Sequence, residues 1–236
     1  MTPDTRRQEL KIRVVFVHGE CLKDEGNKVD GVSGYALGVI HFLYILSYST
    51  RTMSGLVKQN HPALHSIASE VPVEEITAPH IQKILRDMRA ALIGYTVEGF
   101  NGVAIAAPQI GVPLRIFLVH NTSTKKEERD LIPDLIAINP VITKLSKRHK
   151  IVGEGCLSVP EHYGAVDRST NATIRAYDEH GKLYERGAGG LLAQIFQHEV
   201  DHLDGTLFVD RAEKVWHKDD MEEHNMREAD EHDDEE

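Results

Sequence analysis

Residues 189–205 read Gly-Gly-Leu-Leu-Ala-Gln-Ile-Phe-Gln-His-Glu-Val-Asp-His-Leu-Asp-Gly. Leu191, Leu192, Ile195, Phe196, Glu199 and Leu203 recur at helical spacing, glycines precede the run, and Gly205 stands where a C-terminal cap belongs. On such a helix His198 and His202 stand one above the other. Four residues rise about 6 Å and turn about 40° past a full circle, so both imidazoles can reach one metal ion. Glu199, beside the first histidine, can then reach a water bound to that ion. The chain carries 14 histidines in 236 residues, so such a pair can arise by chance, although the metal reading is the favoured one. It needs a third ligand, and that need organises the reading of the remaining sequence.

Only two cysteines occur, Cys21 and Cys156. This is no disulfide framework and fits a reducing compartment, so a cytoplasmic location is expected. Cys156 lies in Gly153-Glu154-Gly155-Cys156-Leu157-Ser158-Val159-Pro160, flanked by glycines between strands. A lone cysteine is usually a small buried hydrophobe. Here it is the only cysteine in the interpretable body and the natural third ligand for His198 and His202.

The formal charge of −10 is localised: residues 217–236 hold eleven acidic and two basic residues, a balance of −9 that leaves −1 for everything before. The body is near neutral, so composition lends no support to a nucleic-acid-binding face, and no DNA contact is expected. Three regions follow. Residues 1–52 read as an extension of uncertain status, with Val14–Val17 as a short strand and Met53 as the candidate functional start. The apolar run Gly38–Leu46 is too short for a bilayer, which takes about 20 apolar residues, so no membrane span is expected. Residues 53–216 form the body, and 217–236 read as a disordered acidic tail.

Within the body, Pro79 opens a stretch whose Ile81, Ile84, Leu85, Met88, Leu92 and Tyr95 predict an amphipathic helix. Gly102-Val103-Ala104-Ile105-Ala106-Ala107-Pro108-Gln109 combines small residues, which permit close approach of backbone or ligand, with one polar side chain. Its bland alternative is a tight turn with a buried glutamine. Leu114–His120 reads as a strand, and Asn121–Asp130 as a polar loop. Leu135–Leu145, interrupted by Asn139-Pro140, reads as a strand pair or one bulged strand. Thr173–Tyr177 reads as a strand before a turn at Asp178–Gly181. Thr206–Arg211 closes the body.

Residues 102–109, 154–158 and 198–202, in that order, resemble the three motifs of the peptide deformylase family. The resemblance implies an α+β domain in which antiparallel or mixed β-sheets pack around a central helix bearing the metal ligands. It implies a hydrolase that removes the N-formyl group from the N-terminal methionine of newly synthesised polypeptides. Cys156, His198 and His202 would hold one divalent metal ion and leave a fourth position open to water. Ferrous iron is the family's characteristic metal, with zinc, nickel or cobalt able to replace it. Glu199 would act as base and then acid, while the Gln109 amide and the Leu157 N–H would stabilise the oxyanion. An extended nascent peptide would pair with backbone at Gly102, Val103, Ala104 and Gly155. Val103, Leu157 and Ile195 would line the methionine pocket, and Arg168 would pair with Glu154. Partners implied are N-formylmethionyl peptides and the ribosome near its exit tunnel. Ala104 departs from the family's usual glycine, and its methyl is expected to narrow the peptide's approach. A zinc endopeptidase also uses His-Glu-x-x-His, but draws its third ligand from a histidine or carboxylate.

Overall fold

The computed structural model describes residues 55–95, 102–121 and 132–220. Val14–Val17, Gly38–Leu46, the start at Met53 and most of the Asn121–Asp130 loop lie outside them. The first long element is α1 (Pro79–Gly94), with Pro79 at its opening position and Ile81, Ile84, Leu85, Met88 and Leu92 buried along one face. Proline is suited to that position because the first helical N–H has no intrahelical partner. Tyr95, at the end of the expected helix, is already extended.

Among the described residues there are eight strands: β1 (Ala104–Ala106), β2 (Ile116–Val119), β3 (Leu135–Leu145), β4 (His149–Cys156), β5 (Val159–Ser169), β6 (Asn171–Tyr177), β7 (Leu183–Gly189) and β8 (Lys214–His217). They form a five-stranded sheet ordered β1-β2-β3-β6-β7 and a three-stranded sheet ordered β4-β5-β8. Every paired neighbour is antiparallel. Between β7 and β8 lie α2 (Gly190–Leu203) and the four-residue α3 (Phe208–Arg211). The α2 helix packs against β1, β2, β3, β6 and β7 of the larger sheet and β5 of the smaller. The expected α+β body around a ligand-bearing helix is the fold observed. No described helix is long and apolar enough to cross a membrane.

Asn139-Pro140 bulges one strand and does not divide two. The register of β3 against β6 shifts between Ile138 and Val141, where Asn139 adopts φ 53°. Asparagine tolerates this left-handed geometry better than most residues. Its side chain accepts from Val71 N at 2.8 Å and donates to Val71 O at 2.7 Å, fastening the loop that precedes α1. The turn after β6 also forms as expected: Gly181 has φ 78°, and Asp178 Oδ1 accepts from the backbone N–H groups of His180 and Lys182. The closing segment goes further than expected. Phe208–Arg211 is helical, and the chain then adds β8 to the smaller sheet, so His217, placed at the start of the tail, pairs with His162.

The main core lies between the larger sheet and the two long helices. A second cluster joins Leu64, Cys156, Val159, Val166, Leu207 and Phe208 beneath the β4–β5 hairpin. Cys156 is the last residue of β4, so the cysteine sits at a hairpin end directly over α2.

Candidate active site

The histidine pair forms as its spacing predicts. The rings of His198 and His202 are 4.9 Å apart between centroids and nearly perpendicular, and both are buried. The Cys156 sulfur lies 3.1 Å from His202 Nε2. One ligand atom from each of the three residues falls within 4.8 Å of the others. Gln109 reaches the same point from a 3-10 turn, Ala107–Ile110. Its Oε1 accepts from Ala106 N at 2.8 Å, which leaves Nε2 to donate to the Cys156 sulfur at 3.4 Å. A second donor, Ser158 N, points at that sulfur from the hairpin turn, also at 3.4 Å. Leu157, between the two, is fully buried.

His198 Nδ1 is bonded to Glu154 Oε2 at 2.9 Å, which directs its other nitrogen toward the cysteine. Arg168 grips Glu154 with two bonds, from Nε at 2.8 Å and Nη2 at 2.9 Å, as the resemblance implied. Its Nη1 donates to Asp201 Oδ2 at 2.6 Å. Burial by itself would raise the Glu154 carboxyl, but bonds from Arg168 and His198 hold it down to about 2. Burial would lower His198, yet contacts with Cys156 and Glu154 carry it well above its ordinary value. His202 moves the other way, lowered by burial and by the neighbouring His198. Glu199 is pushed up to about 7, mainly by burial, with His198 opposing and Glu154 adding to the rise.

His198 Nε2, His202 Nδ1 and Glu199 Oε2 are buried without a hydrogen-bond partner. An unpartnered buried polar atom costs about 1–3 kcal/mol. All three sit on residues expected to meet a metal or its water, although His202 turns Nε2, and not the unpartnered Nδ1, toward Cys156. One sulfur and two imidazoles suit a late first-row divalent ion, so the residues present fit a metal.

Beside the cluster is a pocket lined by Val103, Glu154, Gly155, Leu191, Gln194, Ile195, His198 and Glu199. Val103, Gly155 and Ile195, expected to meet substrate, therefore stand together with the expected base. Gly102 and Ala104 do not line it. A Cβ on Gly102 would stand 2.7 Å from Leu92 Cδ1, so that glycine admits α1. Ala104 is wholly buried in β1, opposite Val119, and its methyl belongs to the core. Leu191, read only as part of the helical pattern, and Gln194, not singled out, were not expected at the pocket, although Leu191, Gln194, Ile195 and His198 share one helix face by their spacing. Gln194 Nε2 donates to Gly153 O at 3.0 Å and ties the pocket wall to β4.

The family model for polypeptide deformylase matches residues 53–218. The chain is 36% identical to peptide deformylase 1A, chloroplastic, of Solanum lycopersicum, over 72% of this chain and 63% of the relative. It is 40% identical to the Arabidopsis thaliana chloroplastic/mitochondrial counterpart, over 66% of this chain and 60% of that one. The chain thus spans less than two thirds of these plant relatives. Against peptide deformylase of Thermomicrobium roseum it is 40% identical, over 67% of this chain and 85% of the relative. Among solved structures, the Met-Ala-Ser-bound class I type b peptide deformylase of Acinetobacter baumannii is similar at 32% identity and a TM-score of 0.58. That likeness covers 66% of this chain and 96% of the other. With its motif residues gathered at one buried point and its family match covering most of its length, the chain belongs to the polypeptide deformylase family.

Proposed function

We propose that this chain hydrolyses the N-terminal formamide of formylmethionyl polypeptides, yielding formate and a free amine. The observation that carries the reading is the convergence of Cys156, His198 and His202 beside a pocket that His198 and Glu199 line. Cys156, His198 and His202 would hold a divalent cation, which would supply Lewis acidity when bound. Glu199 takes a proton from the attacking water and delivers it to the departing nitrogen as the C–N bond breaks. A carboxyl pushed up to about 7 suits a group that must both accept and return a proton near neutrality. The amide of Gln109, anchored through its oxygen, donates toward the negative charge developing on the formyl oxygen, and the Leu157 N–H does the same.

The peptide lies extended between two sheet edges. Within the described sheets β1 pairs only with β2 and β4 only with β5, and the pocket separates Val103 from Gly155. Backbone at Gly102, Val103, Ala104 and Gly155 pairs with the substrate, while Val103, Leu157, Leu191 and Ile195 receive the methionine side chain. We assign ferrous iron as the native metal, with zinc, nickel or cobalt as substitutes; metal analysis after anaerobic purification tests this. The ribosome exit region is the proposed partner, checked by co-sedimentation, and the cytoplasm the proposed compartment, checked by fractionation.

The deciding experiment offers formyl-Met-Ala-Ser, its unformylated form and an internally cleavable peptide to anaerobically purified protein. Formate release from the first alone is expected. Glu199→Gln should then lower turnover by about 10²–10⁴-fold with metal still bound. Internal cleavage by the parent, or full turnover by the variant, overturns the reading.

A further inference from the structure

The four residues of α3 touch the ligand-bearing helix at two places that the proposed chemistry does not use. The chain leaves α2 through Gly205, whose φ of 73° turns it back sharply. A Cβ there would stand 2.9 Å from Ser66 N, so the turn packs hard against the stretch that precedes α1. The returning chain places Phe208 over the ring of His198, with centroids 6.5 Å apart and planes 23° from parallel. One turn later Arg211 Nε donates to Asp201 Oδ2 at 2.7 Å.

That carboxylate oxygen also receives Arg168 Nη1, and Arg168 holds Glu154, which holds His198 Nδ1. A chain of alternating charges thus runs from half-exposed Arg211 to a buried ring nitrogen. Arg168 lies between two carboxylates that compete for it. The second cation on Asp201 balances one of them and leaves the two-bond grip of Arg168 on Glu154 undisturbed. The seat of Phe208 is equally specific. A Cβ on Gly164, in β5, would stand 3.1 Å from two atoms of the Phe208 ring and 2.8 Å from Ala212 Cβ.

We infer that α3 is a positioning device for His198: Phe208 fixes the ring's face and Arg211 fixes its Nδ1 bond through Asp201, Arg168 and Glu154, so that both govern metal retention. This rests on the metal site of the proposed function and adds to it three residues, Gly164, Phe208 and Arg211, that neither ligate nor line the pocket.

The test follows Co²⁺ in the full-length chain, read by its thiolate-to-cobalt absorption and by its release rate to a chelator. Direct partners of metal ligands typically change affinity by about 10–100-fold when removed. One step further out, Arg211→Ala should speed Co²⁺ release by roughly 3–10-fold, and Arg211→Lys should recover part of the loss. Gly164→Ala, which displaces Phe208 without altering a charge, should speed release and shift the absorption band. In both Arg211→Ala and Gly164→Ala, kcat should fall with little change in KM. Release rates within about twofold of the parent in both variants would overturn the inference, even if their melting temperatures dropped. If Arg211→Ala does not fold, Gly164→Ala and Arg211→Lys decide by the same readout. A parent that holds no Co²⁺ would overturn the proposed function as well, whereas unchanged release from a tight-binding parent would remove only the role of α3.

Discussion

The two long helices bury opposite kinds of surface. The α1 face is apolar throughout, from Ile81 to Leu92. The second half of α2 buries Gln197, His198, Glu199, Asp201 and His202. On α1 burial is stabilising and needs no partners. On α2 each polar atom must find one or remain a cost. Gln197 is satisfied: its Oε1 accepts from Ser169 N, and its Nε2 donates to Ser169 O and Ala193 O. Asp201 is held by two arginines. His198, His202 and Glu199 each keep one unpartnered atom. The contrast teaches that burial of a polar residue on α2 does not by itself mark the site: Gln197 is satisfied within the fold, whereas His198, His202 and Glu199 are left incomplete.

The largest expected effect comes from removing the sulfur. Cys156→Ala should lose bound metal and lower deformylation by about 10³-fold or more, measured by elemental analysis and formate release. Activity surviving that change would break the contrast, since the unpartnered atoms on α2 would then await something else. Gln109→Leu keeps the metal but removes the donor, and should lower kcat by about 10²–10³-fold, with KM read alongside. A change in KM alone would assign Gln109 to binding.

Acid provides a smaller test. Glu154 is depressed from an ordinary value of 4.5 to about 2, so its contribution to stability is fully present above about 4.5 and is lost as pH falls toward 2. Denaturant melts of the metal-free protein should show that loss across the window, and Arg168→Met should flatten it. The smallest effect belongs to the apolar helix. Ile81→Val should cost about 0.5–1.5 kcal/mol in the same melts and leave kcat/KM unchanged. A fall in activity would show that α1 shapes the site after all.

What could be read along the chain was periodic or conformationally special. Pro79 with its apolar spacing marked α1, His198 and His202 marked the ligand face, and Asp178–Gly181 marked a turn. The β4–β5 hairpin was visible only as a glycine-flanked cysteine, because Gly153, Gly155, Pro160 and Gly164 break the alternation that identifies strands. The edge strand β7 was missed for another reason: most of its residues are exposed, so neither face carries an apolar pattern. Gly102 and Ala104 show the converse limit. Small residues signal close approach, but not whether helix, core or substrate does the approaching.

Residue chemistry and local spacing therefore determined the ligand types, the base and the helix that presents two of them. Only the tertiary structure decided that Cys156 meets His202 across 46 positions of chain, that β1 and β4 each lie at a sheet edge, and that α3 folds back on His198. The physical reason is that periodicity records how a residue faces its own element. Convergence depends on the path of the backbone between elements, which turns, bulges and packing set together.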